Sequence, residues 1–274
     1  MEFINCKSIA QKWKDKIKAT GVKARLYVIQ VGDDPASSTY IKGKVKDANE
    51  VGFECVHIHI PAITRDQVYH DVCVKLEELK YKPEADGVIL QLPLPFGLSM
   101  NDFTDHMSDN KDVDGFLKTS PFAPCTPDGI IQMLYEIDIF PAGALCVIAG
   151  RSNIVGKPMA ELMINENATV SLCHSYTDRS MLEQLAKKAD IFVSAVGKPN
   201  FISSSLFKKG AVVIDVGINR TENGLCGDIF IDRPNTKNIL ITPVPGGVGL
   251  LTRAMLMRHV LTAYQKYHIW RQTR

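Results

Sequence analysis

A chain of 274 residues with 45% hydrophobic and 23% charged content can bury a substantial core, and its length favours two domains over one. Its 32 basic and 30 acidic residues leave a net charge of +2 with no long run of either sign, which excludes the footprint of a nucleic-acid or membrane-surface binder. There is no apolar core of signal-peptide length, no run that approaches a membrane span and no CxxC pair among seven cysteines, so the expectation is a cytoplasmic enzyme with reduced thiols, its partners small molecules or copies of itself.

Ser8 to Lys18 reads as an amphipathic helix, with Ile9, Trp13 and Ile17 on one face, followed by the apolar run Ala24 to Val31 as a buried strand. Gly32 to Lys44 then leaves that strand and enters a helix. Tyr40 and Lys44 are four residues apart on it, so they sit one turn above the other, about 40° apart around the axis, while Lys42 and Lys46 point elsewhere. Phe53 to Ile60 alternates as a strand, Thr64 caps a helix through about Leu79, and Asp86 to Leu92 is a further apolar strand that stops at the prolines of Gln91-Leu-Pro-Leu-Pro95. Strands alternating with helices imply a parallel α/β sheet, in which ligands bind beyond the carboxyl ends of the strands. Gly32 to Ser37, Gln91 to Pro95 and Asp112 to Phe116 are the loops expected there.

A second α/β run starts at Pro124. It comprises a helix from Thr126 to about Ile137 and strands Ala144 to Ala149, Ala168 to Cys173, Asp190 to Val196 and Ala211 to Val216, with a helix from Asp178 and a closing helix from about Leu250 to Tyr267. Between its first strand and the next helix lies Ala149-Gly-Arg-Ser-Asn-Ile-Val-Gly-Lys-Pro158. Two glycines, a helix N-terminus and Pro158 in the first turn suit a pyrophosphate, although a plain strand-to-helix turn is equally compatible with this loop alone. The following strand ends in Cys173-His174-Ser175-Tyr176, with no acid to hold a ribose 2′-hydroxyl, while Arg151 stands just past the first strand. That combination points to NADP. His174 reads as a strand-end histidine capping a carbonyl.

Together the motifs resemble the bifunctional methylenetetrahydrofolate dehydrogenase / methenyltetrahydrofolate cyclohydrolase family. The matching pieces are Val31-Gly-Asp-Asp-Pro-Ala-Ser37 with Tyr40 and Lys44, Asp86-Gly87 leading to Gln91-Leu-Pro-Leu-Pro95, Lys111-Asp-Val-Asp-Gly115 and Pro124-Cys-Thr-Pro127. Further on they are the glycine loop, Cys173-His-Ser175, Ala195-Val-Gly197, Val213-Ile-Asp-Val-Gly-Ile-Asn219 and Thr242-Pro-Val-Pro-Gly-Gly-Val-Gly249. The resemblance implies a two-domain α/β fold: a catalytic, folate-binding domain of residues 1–122 completed by a C-terminal helix at 250–274, and a Rossmann-type NADP domain at 123–249, with a folate cleft between them. It implies that Lys44, Tyr40, Gln91 and Asp114 are catalytic, and that Tyr40, Gln91, Leu92, Asp114, Pro245, Gly246 and Gly247 meet the tetrahydrofolate substrate. Gly150, Arg151, Ser152, Ile154, Val155, Ser175, Ala195, Val196, Gly197 and Ile218 fall at cofactor-binding positions. No metal is implied, and a homodimer through the Rossmann domain is.

Two departures stand out. Only Phe116 to Ala123 joins Asp-Val-Asp-Gly to Pro-Cys-Thr-Pro, where the family has a longer segment, so the cleft is expected to be more open on that side. Leu250-Leu251-Thr252 replaces the family's Pro-Met-Thr, which loses a helix-starting proline. Two other readings fit parts of the pattern: a folate- or NADP-binding protein that has lost catalysis, and an α/β dehydrogenase of another substrate such as a shikimate.

Overall fold

The apolar runs become strands of two parallel sheets in a computed structural model, which describes residues 1–222, 224–232 and 238–272. The first half of the chain runs β1 (Glu2–Phe3), α1 (Cys6–Ala19), β2 (Arg25–Val31), α2 (Pro35–Val51), β3 (Glu54–Ile60), α3 (Arg65–Tyr81), β4 (Gly87–Leu90) and α4 (Cys125–Glu136). The second half runs β5 (Leu145–Ala149), α5 (Gly156–Asn165), β6 (Thr169–Cys173), α6 (Arg179–Lys188), β7 (Ile191–Ser194), β8 (Ile202–Ser203), β9 (Val212–Asp215), β10 (Asn219–Thr221), β11 (Gly224–Cys226), β12 (Ile229–Phe230), β13 (Leu240–Ile241) and α7 (Val248–Gln272). Of the closing segment expected at 250–274, residues 273 and 274 lie outside the described residues. No described helix is long and apolar enough to cross a membrane.

The chain divides into two compact units: Lys12–Cys125 with the chain from Arg253 onward, and Met1–Gln11 with Thr126–Thr252. In the first, the parallel order is β3-β2-β4, and Val28 of the central strand pairs with His57 on one side and Ile89 on the other. Both faces of β2 are covered, which is why it reads as an unbroken apolar run. Tyr27, Ile29 and Val31 pack with Val68, Val72 and Leu76 of α3, while Leu26 and Val28 pack with Ile41 and Ala48 of α2 and with Leu256, Met257 and Val260 of α7. Leu26, Val28 and Ile29 are fully buried. Each such aliphatic side chain contributes about 1.5–3 kcal/mol of apolar burial.

The second unit carries a six-stranded sheet in the order β1-β13-β9-β7-β5-β6, parallel throughout. β5 sits between β6 and β7, so the strand order reverses beside it, and in such sheets this switch point is where a ligand crevice forms at the carboxyl ends. The first eleven residues group with this sheet. The reason is backbone pairing: the Glu2 amide donates to the Ile239 carbonyl and the Ile4 amide to Ile241, both at 2.8 Å.

Several strands start later than their apolar pattern suggested, and two begin behind an aspartate. Asp86, just before β4, accepts the Arg25 amide at 2.7 Å and returns its own amide to the Arg25 carbonyl at 3.1 Å. Asp190, just before β7, makes the same exchange with Leu145 of β5, at 2.8 and 2.9 Å. Each carboxylate thus closes the open end of a neighbouring strand. The short 116–123 connection folds back on itself, with Phe116 and Leu117 joining the α3-side core and the Ser120 hydroxyl donating to the Asp112 carbonyl at 2.9 Å. All seven cysteines are free, and five of them are buried.

Candidate active site

The carboxyl end of β2 hands the chain directly to α2. Asp34 caps the helix, its carboxylate accepting the Ser37 amide at 2.7 Å, and Pro35 fits the first turn. Lys44, in the middle of α2, is 7% exposed, and its Nζ donates to Gln91 Oε1 at 2.9 Å. Gln91 Nε2 donates in turn to the Leu92 carbonyl at 2.7 Å, and the Ser37 hydroxyl reaches that same carbonyl at 3.3 Å. The amide therefore has one orientation, oxygen toward the lysine. Asp114 Oδ2 lies 4.0 Å from Lys44 Nζ. Tyr40, one turn before Lys44, is 41% exposed; burial pushes its phenol up and the charge of Arg253 opposes that.

Asp114 is delivered by a tightly built turn. Asp112 bridges to Val88 of β4, and its fully buried carboxylate accepts the amides of Gly115 at 3.1 Å and Leu117 at 2.7 Å. Lys111 anchors the other flank, its Nζ donating to the carbonyls of Leu79 and Lys82 at 2.8 and 2.7 Å, where the last turn of α3 leaves acceptors open. Burial pushes the Asp112 carboxyl up to about 6, with the charge of Asp114 adding to it and the two amides opposing.

That shift has a sign. The folded state holds the Asp112 proton to higher pH than the unfolded chain does, so this group's stabilisation is complete below about pH 4 and lost by about pH 6. Asp112→Asn does not titrate. Its unfolding free energy is therefore expected to gain on that of the parent, by on the order of 3 kcal/mol, between pH 4 and pH 7. Chemical denaturation of both proteins at the two pH values checks it, and parallel pH curves would contradict it.

Two groups here escaped the sequence reading. Arg253, at the entry of α7 into this unit, forms an ion pair with buried Asp47 of α2 at 2.8 Å, and Lys14 approaches Asp47 at 3.4 Å. Cys55 of β3 lies within reach of Lys44's charge, which offsets part of the burial that pushes its thiol up to about 11. A single arginine in the closing helix and a lone cysteine carry no pattern that would single them out.

In the six-stranded unit, the loop after β5 keeps Arg151 to Ile154 exposed at the start of α5. Gly150 has φ +119°, and a side chain there would run into the Ala195 carbonyl, so the two strand exits touch through bare backbone. The Ser152 hydroxyl accepts the amides of Val155 at 3.2 Å and Gly156 at 3.4 Å, leaving its proton to donate outward. Val155 stands directly before α5. Past β6, Ser175 and Tyr176 are exposed, and the Arg151 guanidinium lies 5.6 Å from the Tyr176 ring centre. The His174 ring accepts the Tyr176 amide at 3.2 Å, so it shapes a turn through an amide and not through the carbonyl expected for it. The next acid in the chain, Asp178, has its carboxylate on the amides of Ser180 and Met181 as the cap of α6. Ala195, Val196 and Gly197 follow β7, Ile218 is half-exposed after β9, and Pro245, Gly246 and Gly247 follow β13. These features fit a phosphorylated dinucleotide: a helix N-terminus for the pyrophosphate, a cation without a competing acid at the second strand, and exposed apolar side chains beside backbone-lined exits.

A doubly wound parallel sheet with this crevice, alongside a second α/β unit holding a buried lysine-amide pair, defines a dinucleotide-dependent enzyme. Residues 4–114 match the family described as tetrahydrofolate dehydrogenase/cyclohydrolase, catalytic domain, and residues 124–268 match its NAD(P)-binding domain. The chain belongs to the tetrahydrofolate dehydrogenase/cyclohydrolase family. It is 43% identical over 281 residues to the bifunctional protein FolD of Agathobacter rectalis, a match covering 96% of this chain and 99% of that one. Its fold is similar to the crystal structure of the bifunctional FolD of Campylobacter jejuni, with a TM-score of 0.89, 36% identity and coverage of 97% and 99%. It is also similar to the Trypanosoma brucei FolD complexed with NADP cofactor and inhibitor, with a TM-score of 0.87, 28% identity and coverage of 96% and 97%.

Proposed function

We propose that this protein oxidises 5,10-methylenetetrahydrofolate to the 5,10-methenyl form with NADP and hydrolyses the product to 10-formyltetrahydrofolate, the first unit serving as the folate-binding catalytic domain. The observation that carries the reading is the buried Lys44–Gln91 pair at 2.9 Å with Asp114 at 4.0 Å from the same amine.

The Asp114 carboxylate accepts the paired donor edge of the pterin ring, and Tyr40 and Leu92 flank the substrate. Hydride leaves the methylene carbon, and NADP, when bound, supplies its acceptor. Water then adds to the cationic methenyl carbon with loss of one proton, the bond to N5 breaks as the hydroxyl proton of the adduct passes to N5, and the formyl group stays on N10. Lys44 takes the proton from the attacking water, and Gln91 accepts a hydrogen bond from the amine, orienting it without adding charge. Arg151 and Ser175 receive the 2′-phosphate, Gly150, Ser152, Ile154 and Val155 line the pyrophosphate turn, and Ala195, Val196, Gly197 and Ile218 meet the nicotinamide half. The family resemblance supports Pro245, Gly246 and Gly247, just past β13, as substrate-contacting positions.

The reading extends to a homodimer in the cytoplasm that supplies one-carbon units to purine and amino-acid biosynthesis; seven free cysteines support a reducing compartment and the family resemblance supports the dimer. Mixing the protein with 5,10-methylenetetrahydrofolate and NADP should produce NADPH and then 10-formyltetrahydrofolate. Tight binding of both ligands without NADPH would mean a binding protein that has lost catalysis, and NADPH formed only from another alcohol or acid would mean a different dehydrogenase.

A further inference from the structure

The most heavily bonded acid near the dinucleotide crevice is one the proposed reaction does not use. Asp228 precedes β12 and is fully buried, yet its two oxygens collect five donors from two strand exits. Oδ2 accepts the Ser194 hydroxyl at 3.0 Å and the amides of Val196 at 2.8 Å and Gly197 at 3.1 Å. Oδ1 accepts the Lys198 amide at 3.0 Å and Asn219 Nδ2 at 2.9 Å. Any side chain at Gly217 would land on that same oxygen, so the exit of β9 lies against the carboxylate. Asp228 is itself held by Asp215, whose Oδ1 accepts its amide at 3.0 Å and that of Gly217 at 3.0 Å. Asp215 also donates its backbone N–H to the Thr242 hydroxyl, at 2.8 Å, at the exit of β13.

Topology says which part of the cofactor these loops face. The adenosine ribose of a dinucleotide sits beyond the strand that follows the glycine loop, here β6, on one side of β5. The exits of β7 and β9 lie on the other side, under the nicotinamide half. We infer that Asp228 is a positioning residue for that half: a buried carboxylate that aligns the backbone of Val196–Lys198 with that around Ile218, without touching the ligand. A carboxylate suits this work because it accepts at both oxygens. An asparagine would aim N–H groups at the amides on one side and leave buried donors facing donors.

This inference rests on the NADP reading, and the two are separated by using two ligands: NADP and 2′,5′-ADP, which carries only the adenosine end. Calorimetry on the parent protein should show both binding; absence of NADP binding there would fail the functional reading itself. With that established, Asp228→Asn should weaken NADP at least tenfold and leave the 2′,5′-ADP affinity within twofold. Asn219→Ala removes a single donor while the carboxylate and its backbone bonds remain, so it should fold if Asp228→Asn does not, and weaken NADP severalfold with the same sparing of 2′,5′-ADP. Equal losses for the two ligands, or no loss of NADP affinity in either variant, would overturn the positioning role.

Discussion

Lys44→Met should abolish the cyclohydrolase step while leaving measurable dehydrogenase activity. The two steps ask different things of the site. Hydride departure requires that the methylene carbon be held in place, and in the proposed reading Asp114, Tyr40 and Leu92 remain to hold it. Hydrolysis requires a group to take a proton from water, and Lys44 Nζ, 2.9 Å from Gln91 Oε1 and 4.0 Å from Asp114 Oδ2, is the amine at this cluster. Methionine keeps the length of the stem and its packing in α2 but has no base. General-base catalysis of this kind contributes about 10²- to 10⁴-fold, so the second step should fall by that range, to the level of the spontaneous reaction. The steps are assayed separately, by NADPH formation and by loss of the methenyl chromophore. A cyclohydrolase rate within a few fold of the parent would remove Lys44 from the mechanism.

The second large effect concerns cofactor choice. NADP should be preferred over NAD, and Arg151→Ala should narrow that preference about ten- to hundredfold, the equivalent of roughly 1.5–3 kcal/mol for a lost charge-assisted contact. The loop after β6 offers Ser175, and its acid, Asp178, is occupied as a helix cap and does not serve a bare 2′-hydroxyl. The Arg151 guanidinium lies 5.6 Å from the ring centre of Tyr176, the residue after Ser175. Comparing kcat/KM for the two cofactors in parent and variant decides the matter, and equal use of both by the parent would contradict it.

The elements that could be read from the residues are those whose signal is local. Buried strands such as β2, β5 and β9 announce themselves as apolar runs, and Thr64 and Asp178 mark the starts of α3 and α6 as caps. β1 and β13 could not be read this way. Each is two residues long, and their pairing joins positions 2–3 to 240–241, a register that no neighbouring residue encodes. The site divides along the same line. Tyr40 and Lys44 share a helix face by spacing, but the meeting of Lys44 with Gln91 spans 47 positions and was expected only through the family resemblance. Asp228 was invisible for a further reason: three of its donors are backbone amides, which every residue but proline possesses, so its partners leave no trace in residue type.

The order of the chain has a consequence for how the protein is made. The core between α2 and β2 includes Leu256, Met257 and Val260, so the unit whose strands are synthesised first lacks part of its interior until the last stretch of α7 has left the ribosome. The six-stranded unit ends at Thr252, and its opening strand, β1, has by then long been waiting for β13. The later-encoded sheet is therefore complete first. The earlier one spends most of translation with the apolar side of α2 and β2 unsealed, the condition under which a nascent chain depends most on chaperones.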